Sequence, residues 1–253
     1  MHLNPKILNK TLIFVPTYNE KDNVDELCNQ ISELNSDLHI LFVDDNSPDG
    51  TGKKLDELAN SIANITVLHR RDKLGIGSAH QAGINWAYQN KYSTLITMDA
   101  DFTHSPKHIL DLISYSEHAD VVIGSRYVKR NSMEGWTIHR RLATKMANRM
   151  IRIFLGMGYD STGAFRLYKI DKIPKEIFKL VKSPRYSFFF ESLYVLHSNN
   201  FCILEYPIVA PARSSGSSKM RFSDVFDSCL RLVKIFRSRL LSPKNYQWIN
   251  SHK

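Results

Sequence analysis

Four short apolar runs in the first half of this chain lead into polar clusters, and helix-like segments separate the runs. TLIFV (11–15) runs into PTYNE, HILFV (39–43) into DDNS, TLITM (94–98) into DAD, and DVVIG (120–124) overlaps GSRY. Residues 22–34 place Val24, Leu27, Cys28, Ile31 and Leu34 at helical spacing, and 52–63, 77–90 and 106–116 read as further helices. ITVLH (65–69) adds a strand. Strands alternating with helices predict an α/β fold with a mostly parallel central sheet flanked by helices. Ligands of such sheets bind beyond the carboxyl ends of the strands, so the four polar clusters define one face.

The second half is less regular. Residues 138–155 read as an amphipathic helix, with Leu142, Met146, Met150, Ile153 and Phe154 on one side and Arg140, Arg141, Lys145, Arg149 and Arg152 supplying charge. A strand is expected around 163–169, a helix over 187–199 and a strand over 202–208. ARSSGSSKM (212–220) is Ser/Gly-rich and reads as a loop, followed by a last basic amphipathic helix over 222–241.

With 253 residues, 43% of them hydrophobic, the chain can bury one substantial core. Charge is unevenly placed: residues 1–125 hold 10 Lys/Arg against 17 Asp/Glu, and residues 126–253 hold 24 against 8. The basic half is expected to meet something anionic, such as nucleic acid, lipid headgroups or phosphate. Cys28, Cys202 and Cys229 are odd in number and widely spaced, and read as buried thiols in a reducing, cytoplasmic compartment. The sequons at Asn9 and Asn64 would go unused there. No signal peptide and no apolar run of membrane-spanning length is read in the chain.

The chemistry centres on Asp99 and Asp101. Alternation along a strand sets residues i and i+2 on one side, so both carboxylates can meet one point where the strand runs out. Oxygen donors of this kind hold Mg²⁺ or Mn²⁺ and bridge it to substrate phosphates. The glycines of LGIGSA (74–79) form neither a GxxxxGK[ST] loop nor a full GxGxxG, and no HExxH or GxSxG occurs, which argues against an ATPase, a dinucleotide enzyme, a zincin or a serine hydrolase. The histidines read as surface or structural groups. Asp44 reads as a turn cap.

VPTYNE (15–20), VDDNSPDGTG (43–52), LGIGSA, MDAD (98–101), GSRY (124–127), RRLATKMAN (140–148), STGAFRLYK (161–169) and R-x-x-G-x-S-K (213–219) occur in this order. Together they resemble the dolichyl- and polyprenyl-phosphate mannosyltransferases of the inverting family-2 glycosyltransferases, over about residues 11 to 220. The resemblance implies a GT-A-type nucleotide-diphospho-sugar transferase fold, with a catalytic domain over 1–221 and a basic amphipathic helix and tail over 222–253. It implies that Pro16, Tyr18, Glu20, Val43 and Asp45 hold the nucleoside, and that Asp99, Ala100 and Asp101 hold metal and diphosphate. Thr103 stands where relatives often carry a Gln or Ser that joins the metal shell. Arg126, Arg140 and Thr144 match the acceptor-phosphate pocket, and Arg213 and Lys219 match a loop that closes over the donor.

The activity so implied is transfer of mannose from GDP-mannose to polyprenyl or dolichyl phosphate with inversion, using Mg²⁺ or Mn²⁺. Asp99, Asp101 and Arg126 are expected to carry it. Another donor, such as UDP-glucose, is the alternative within this chemistry. A non-catalytic basic membrane or nucleic-acid-binding protein is the alternative class, but it leaves the acidic strand ends unexplained, and nucleic acid is not expected as a partner. The expected location is cytoplasmic and peripheral at the cytoplasmic face of a membrane, where residues 138–155 and 222–241 meet lipid or a membrane-anchored protein partner.

Overall fold

A computed structural model describes residue 8, residues 10–212 and residues 221–248. Arg213, Lys219 and the loop expected over 212–220 lie outside the described residues, apart from Ala212. The described residues form seven strands in one sheet: β1 (Thr11–Thr17), β2 (His39–Asp44), β3 (Ile65–His69), β4 (Thr94–Thr97), β5 (Val121–Ser125), β6 (Arg166–Lys169) and β7 (Ile203–Pro207). Their order is β3-β2-β1-β4-β6-β5-β7.

Helices α1 (Val24–Leu34), α2 (Thr51–Ser61) and α4 (Ile109–Tyr115) cover one face of the sheet; α3 (Ile76–Gln89), α5 (Ile138–Leu155), α6 (Lys175–Lys179), α7 (Phe188–Ser198) and α8 (Phe222–Leu241) cover the other. The pleat sorts β1 between two cores. Leu12 and Phe14 face the α3 side, and Ile13 and Val15 face the α1 side, all fully buried. Burial on both faces is why these strands read as continuous apolar runs.

Pairing is parallel except around β6, which runs antiparallel to both β4 and β5. That reversal has a functional consequence. The start of β6, and not its end, lies at the edge where β1, β2, β4 and β5 finish, because Arg166 pairs with Thr97 and Ile123. Residues 160–165 are thereby delivered to the same edge as the four polar clusters.

The expected helix over 106–116 divides into a 3-10 turn at Pro106–His108 and α4. The short α6 and a 3-10 turn at Pro243–Tyr246 were not anticipated. Of the three thiols only Cys28 is buried; Cys202 and Cys229 are exposed, because one precedes the edge strand β7 and the other faces outward from α8. No helix among the described residues is long and apolar enough to cross a membrane.

The glycines of LGIGSA serve packing. Gly75 has φ of +99°, and a Cβ there would meet the Pro184 carbonyl oxygen at 2.6 Å. A Cβ on Gly77 would sit 2.7 Å from the carbonyls of Ser183 and Arg185. Only glycine lets the start of α3 approach the 183–185 loop this closely.

Candidate active site

Each of three strands at the shared edge is left through a residue in the left-handed region: Asn19 after β1, Asn46 after β2 and Phe102 after β4, with φ of 56°, 56° and 59°. Asn adopts this conformation readily; a bulky phenylalanine does so under strain, and such strain gathers at functional sites.

At β2, Asp44 caps its turn. It accepts from the Thr17 hydroxyl at 3.2 Å, the Ser47 hydroxyl at 2.5 Å and the Ser47 N–H at 3.1 Å. Asp45 beside it is left for other work. Its Oδ1 lies 3.0 Å from Arg70 Nη1, both side chains nearly buried, yet neither atom is aligned for a hydrogen bond. Burial pushes the Asp45 carboxyl up to about 6, with Arg70 and Lys73 pulling down and Asp44 pushing further up. Arg70 is held by a hydrogen bond from Nη2 to the Ser78 hydroxyl at 2.8 Å. Lys73 Nζ stands 3.6 Å from the centre of the Tyr18 ring, a cation–π contact that joins the β1 and β3 ends. Glu20 accepts from Asn23 Nδ2 at 2.7 Å, while Pro16 and Val43 are register partners in the β1–β2 ladder.

At β4, Asp101 is buried and its Oδ1 accepts from both the backbone N–H and the hydroxyl of Thr103, at 3.2 and 2.6 Å. The Phe102 turn makes that double contact possible and aims the carboxylate. Asp99 is more open, with a third of its side chain exposed. Its backbone N–H donates to His104 Nδ1 at 2.9 Å, so that nitrogen is an unprotonated acceptor, and its 3.7 Å approach to the Asp99 carboxylate is no ion pair. His104 lies flat against Phe165. Ala100 is buried between the two aspartates. Two hard carboxylates suit Mg²⁺ or Mn²⁺, and among the described residues no cluster of three His, Cys, Asp or Glu completes a protein cage. The pair therefore fits a cation that takes its remaining ligands from water and phosphate.

At β5, Arg126 meets the segment delivered by the reversed β6. Its Nε and Nη2 donate to Asp160 at 2.8 and 2.6 Å, its backbone N–H donates to Asp160 at 3.1 Å, and Nη2 also reaches the Thr162 hydroxyl at 2.7 Å. Burial pushes the fully buried Asp160 carboxyl up, but the Arg126 guanidinium outweighs it and holds the group below the usual carboxylate range. For Arg126 burial works against the charge, and Asp160, with a smaller contribution from Asp99, raises its pKa nonetheless. Arg140 is brought to the same place by an indole: its guanidinium sits 3.6 Å from the centre of the Trp136 ring, and that of Arg126 5.6 Å from it. Trp136 Nε1 donates to the Pro211 carbonyl at 3.3 Å. Thr144 follows one turn after Arg140 on α5.

Arg70, Lys73, His104, Trp136, Asn148 and Asp160 were missed by sequence reasoning. Asp160 is the instructive case: it directly precedes STGAFRLYK, but only the antiparallel pairing of β6 shows that it faces Arg126.

Comparisons with known proteins give the family and the fold of the chain. Residues 12–174 match the family model described as glycosyl transferase family 2. The chain is 36% identical over 228 residues to a polyprenol monophosphomannose synthase of Mycolicibacterium smegmatis, spanning 89% of this chain and 86% of the relative. It is 33% identical over 226 residues to an undecaprenyl-phosphate mannosyltransferase of Micrococcus luteus, spanning 89% of this chain and 93% of the relative. Its fold matches that of a glucosyl-3-phosphoglycerate synthase from Mycobacterium tuberculosis, crystallised with Mn²⁺, UDP and glucosyl-3-phosphoglycerate, at a TM-score of 0.60 and 16% identity over 92% of this chain and 79% of that one. This GT-A-like chain belongs to glycosyl transferase family 2.

Proposed function

We propose that this glycosyltransferase moves mannose from GDP-mannose to the phosphate of a polyprenol, giving polyprenyl-phosphate mannose and GDP. The carrying observation is that Arg126, which follows β5, and Asp99 and Asp101, which follow β4, lie at one sheet edge. A cation suited to an acceptor phosphate thus shares that edge with carboxylates suited to a donor diphosphate. The two relatives named for polyprenyl-phosphate mannose chemistry support this reading.

In this proposal Asp99, Asp101 and Thr103 hold Mg²⁺ or Mn²⁺, which when bound neutralises charge on the departing diphosphate. Pro16, Tyr18, Glu20, Val43 and Asp45 hold the nucleoside, with Arg213 and Lys219 closing over the diphosphate. Arg126, Arg140 and Thr144 hold the lipid phosphate, which is largely dianionic at neutral pH and attacks the anomeric carbon from the face opposite the leaving group. An ionised nucleophile needs positioning more than a general base, and Arg126 and Arg140 are the cations proposed to position it. A panel of sugar nucleotides with a short polyprenyl phosphate and either metal tests the proposal. Mannolipid from GDP-mannose is the expected product; transfer from another donor, or from none, overturns it.

Asp45 makes the donor step pH-sensitive. Guanine offers its N1–H and N2–H to a carboxylate, so binding favours ionised Asp45 and lowers its pKa in the complex. The donor KM is therefore expected to be flat above pH 7 and to rise as pH falls through about 6. In Asp45→Asn that inflection disappears. For stability the sign is opposite: the raised carboxyl contributes below its ordinary value of 3.8, and the contribution is lost as pH rises through about 6.

The same proposal places the protein peripherally at the cytoplasmic face of a membrane. Ile138, Leu142, Met146 and Ile153 on α5, and Phe222, Phe226 and Leu230 on α8, are all more than half exposed. Lys145, Arg149, Lys234 and Arg237 are exposed on the same two helices. An apolar row among cations on a packed helix pair fits an anionic lipid surface. Flotation with phosphatidylserine vesicles is expected to carry the protein, and to lose it in Phe222→Ser/Phe226→Ser/Leu142→Ser. Flotation unchanged by these substitutions, or none without an added membrane protein, refutes the lipid contact.

A further inference from the structure

We infer that Asn148 is a positioning residue for the acceptor site: it locks α5 to the Arg126 fork and sets the spacing of Arg126 from Arg140 and Thr144. The inference rests on the reading of Arg126 as an acceptor-phosphate ligand. Asn148 lies on α5 at i+8 from Arg140 and i+4 from Thr144, so the three share a helix face. Its side chain reaches two other parts of the chain, the 161–162 segment and Tyr127, besides its own helix. Oδ1 accepts from the Ser161 N–H at 2.8 Å. Nδ2 donates to the Thr162 hydroxyl at 3.0 Å, to the Tyr127 hydroxyl at 3.1 Å and to the Thr144 carbonyl at 3.1 Å.

The Thr162 hydroxyl shows why this matters. A hydroxyl has two acceptor positions and one donor. Arg126 Nη2 and Asn148 Nδ2 take the acceptor positions, and the proton points toward Asp160 Oδ1 at 3.5 Å. Thr162 is thus fully committed, and its orientation is set jointly by the arginine and the amide. Arg126 in turn has Nε and Nη2 fixed by Asp160 and Thr162, which leaves Nη1 as the part of the fork outside the clamp. The plane of that fork, and where Nη1 points, depends on a loop whose tie to α5 is Asn148. The arginine on α5 is aligned separately, by Trp136.

An amide is required at this position. One group must accept from a backbone N–H and donate to the Tyr127 hydroxyl and to a Thr162 hydroxyl that is already engaged, and a carboxylate has no hydrogen to donate. A carboxylate would also set a negative charge near the guanidinium that is to receive a phosphate.

Steady-state kinetics on the full-length enzyme tests this. In Asn148→Ala the acceptor KM is expected to rise about tenfold, the scale of hydrogen bonds lost around a charged group. The donor KM should stay within twofold, and Asn148→Asp should be worse than Ala on the acceptor side alone. A purely structural role would lower the melting temperature and move both KM values together, and that result overturns the inference. Arg126→Lys, alone and with Asn148→Ala, separates the inference from the reading beneath it. If Asn148 acts through Arg126, the double variant shows no further loss beyond Arg126→Lys. Additive losses refute the positioning role, while an unchanged acceptor KM in Arg126→Lys refutes the acceptor-site reading itself.

Discussion

Asp101→Ala is expected to lower kcat by about 10³-fold or more, since the metal it is proposed to hold would supply several kcal/mol of charge stabilisation in the proposed reaction. The protein should remain folded, because Asp101 sits just past a strand end and its Oδ1 bonds Thr103 within the same turn. Circular dichroism checks the fold, and Mn²⁺ electron paramagnetic resonance checks the loss of the ion. Asp101→Asn separates two roles of the carboxylate. It keeps an oxygen for the Thr103 N–H and hydroxyl but removes the charge, so it should be nearly as inactive as Ala. Thr103→Val keeps the charge and removes a hydroxyl that both bonds the Asp101 carboxylate and is proposed to join the metal shell, and a loss of about tenfold or more is expected. Near-parental turnover in Asp101→Ala would sink the assignment of the metal to this pair.

The elements that sequence reasoning placed well are those with enough residues to show a period. The 18 residues of α5 and the 20 of α8 show a helical repeat, and both fall on their expected ranges. The polar clusters after β1, β2, β4 and β5 read as one face because strand ends of a parallel sheet coincide, and β5 keeps that direction although it pairs with β6 rather than β4. What escaped is what depends on pairing partners. β6 has four residues, too few for a periodicity to state its direction, and the reversal is what brings Asp160 and Thr162 to Arg126. Arg70 is set by the crossover from β3 to α3, and no local pattern announces that it lands 3.0 Å from Asp45. The cysteines failed for a related reason: burial depends on which strand is an edge and which side of α8 packs inward.

Glu191→Ala is expected to cost about 3–5 kcal/mol, the range for stripping one partner from a buried ion pair. Glu191 is fully buried on α7 and receives both fork nitrogens of Arg231 from α8, Nε at 2.9 Å. It also accepts the backbone N–H groups of Lys182 and Ser183, each at 3.0 Å. Alanine leaves a poorly solvated cation and two donors, the Ser183 N–H buried, without acceptors, so the melting temperature should fall by about 10 °C for a chain of this size. Replacing both partners, as Glu191→Gln with Arg231→Met, removes the stranded charge and restores most of the loss. A Glu191→Ala melting point within about 2 °C of the parent would show that the pair contributes little. The consequence extends to the donor pocket. The 182–185 loop that Glu191 holds offers the Pro184 carbonyl to the Ser78 N–H at 2.9 Å, and the Ser78 hydroxyl holds Arg70 beside Asp45. Glu191→Ala should therefore raise the donor KM at temperatures well below its unfolding transition, while the doubly substituted variant, with the charge gone and the glutamine oxygen accepting from one of the two loop N–H groups, should raise it less. Removing α8 outright would strand Glu191 in the same way, so its lipid contacts are better probed by substitutions on its exposed side than by truncation.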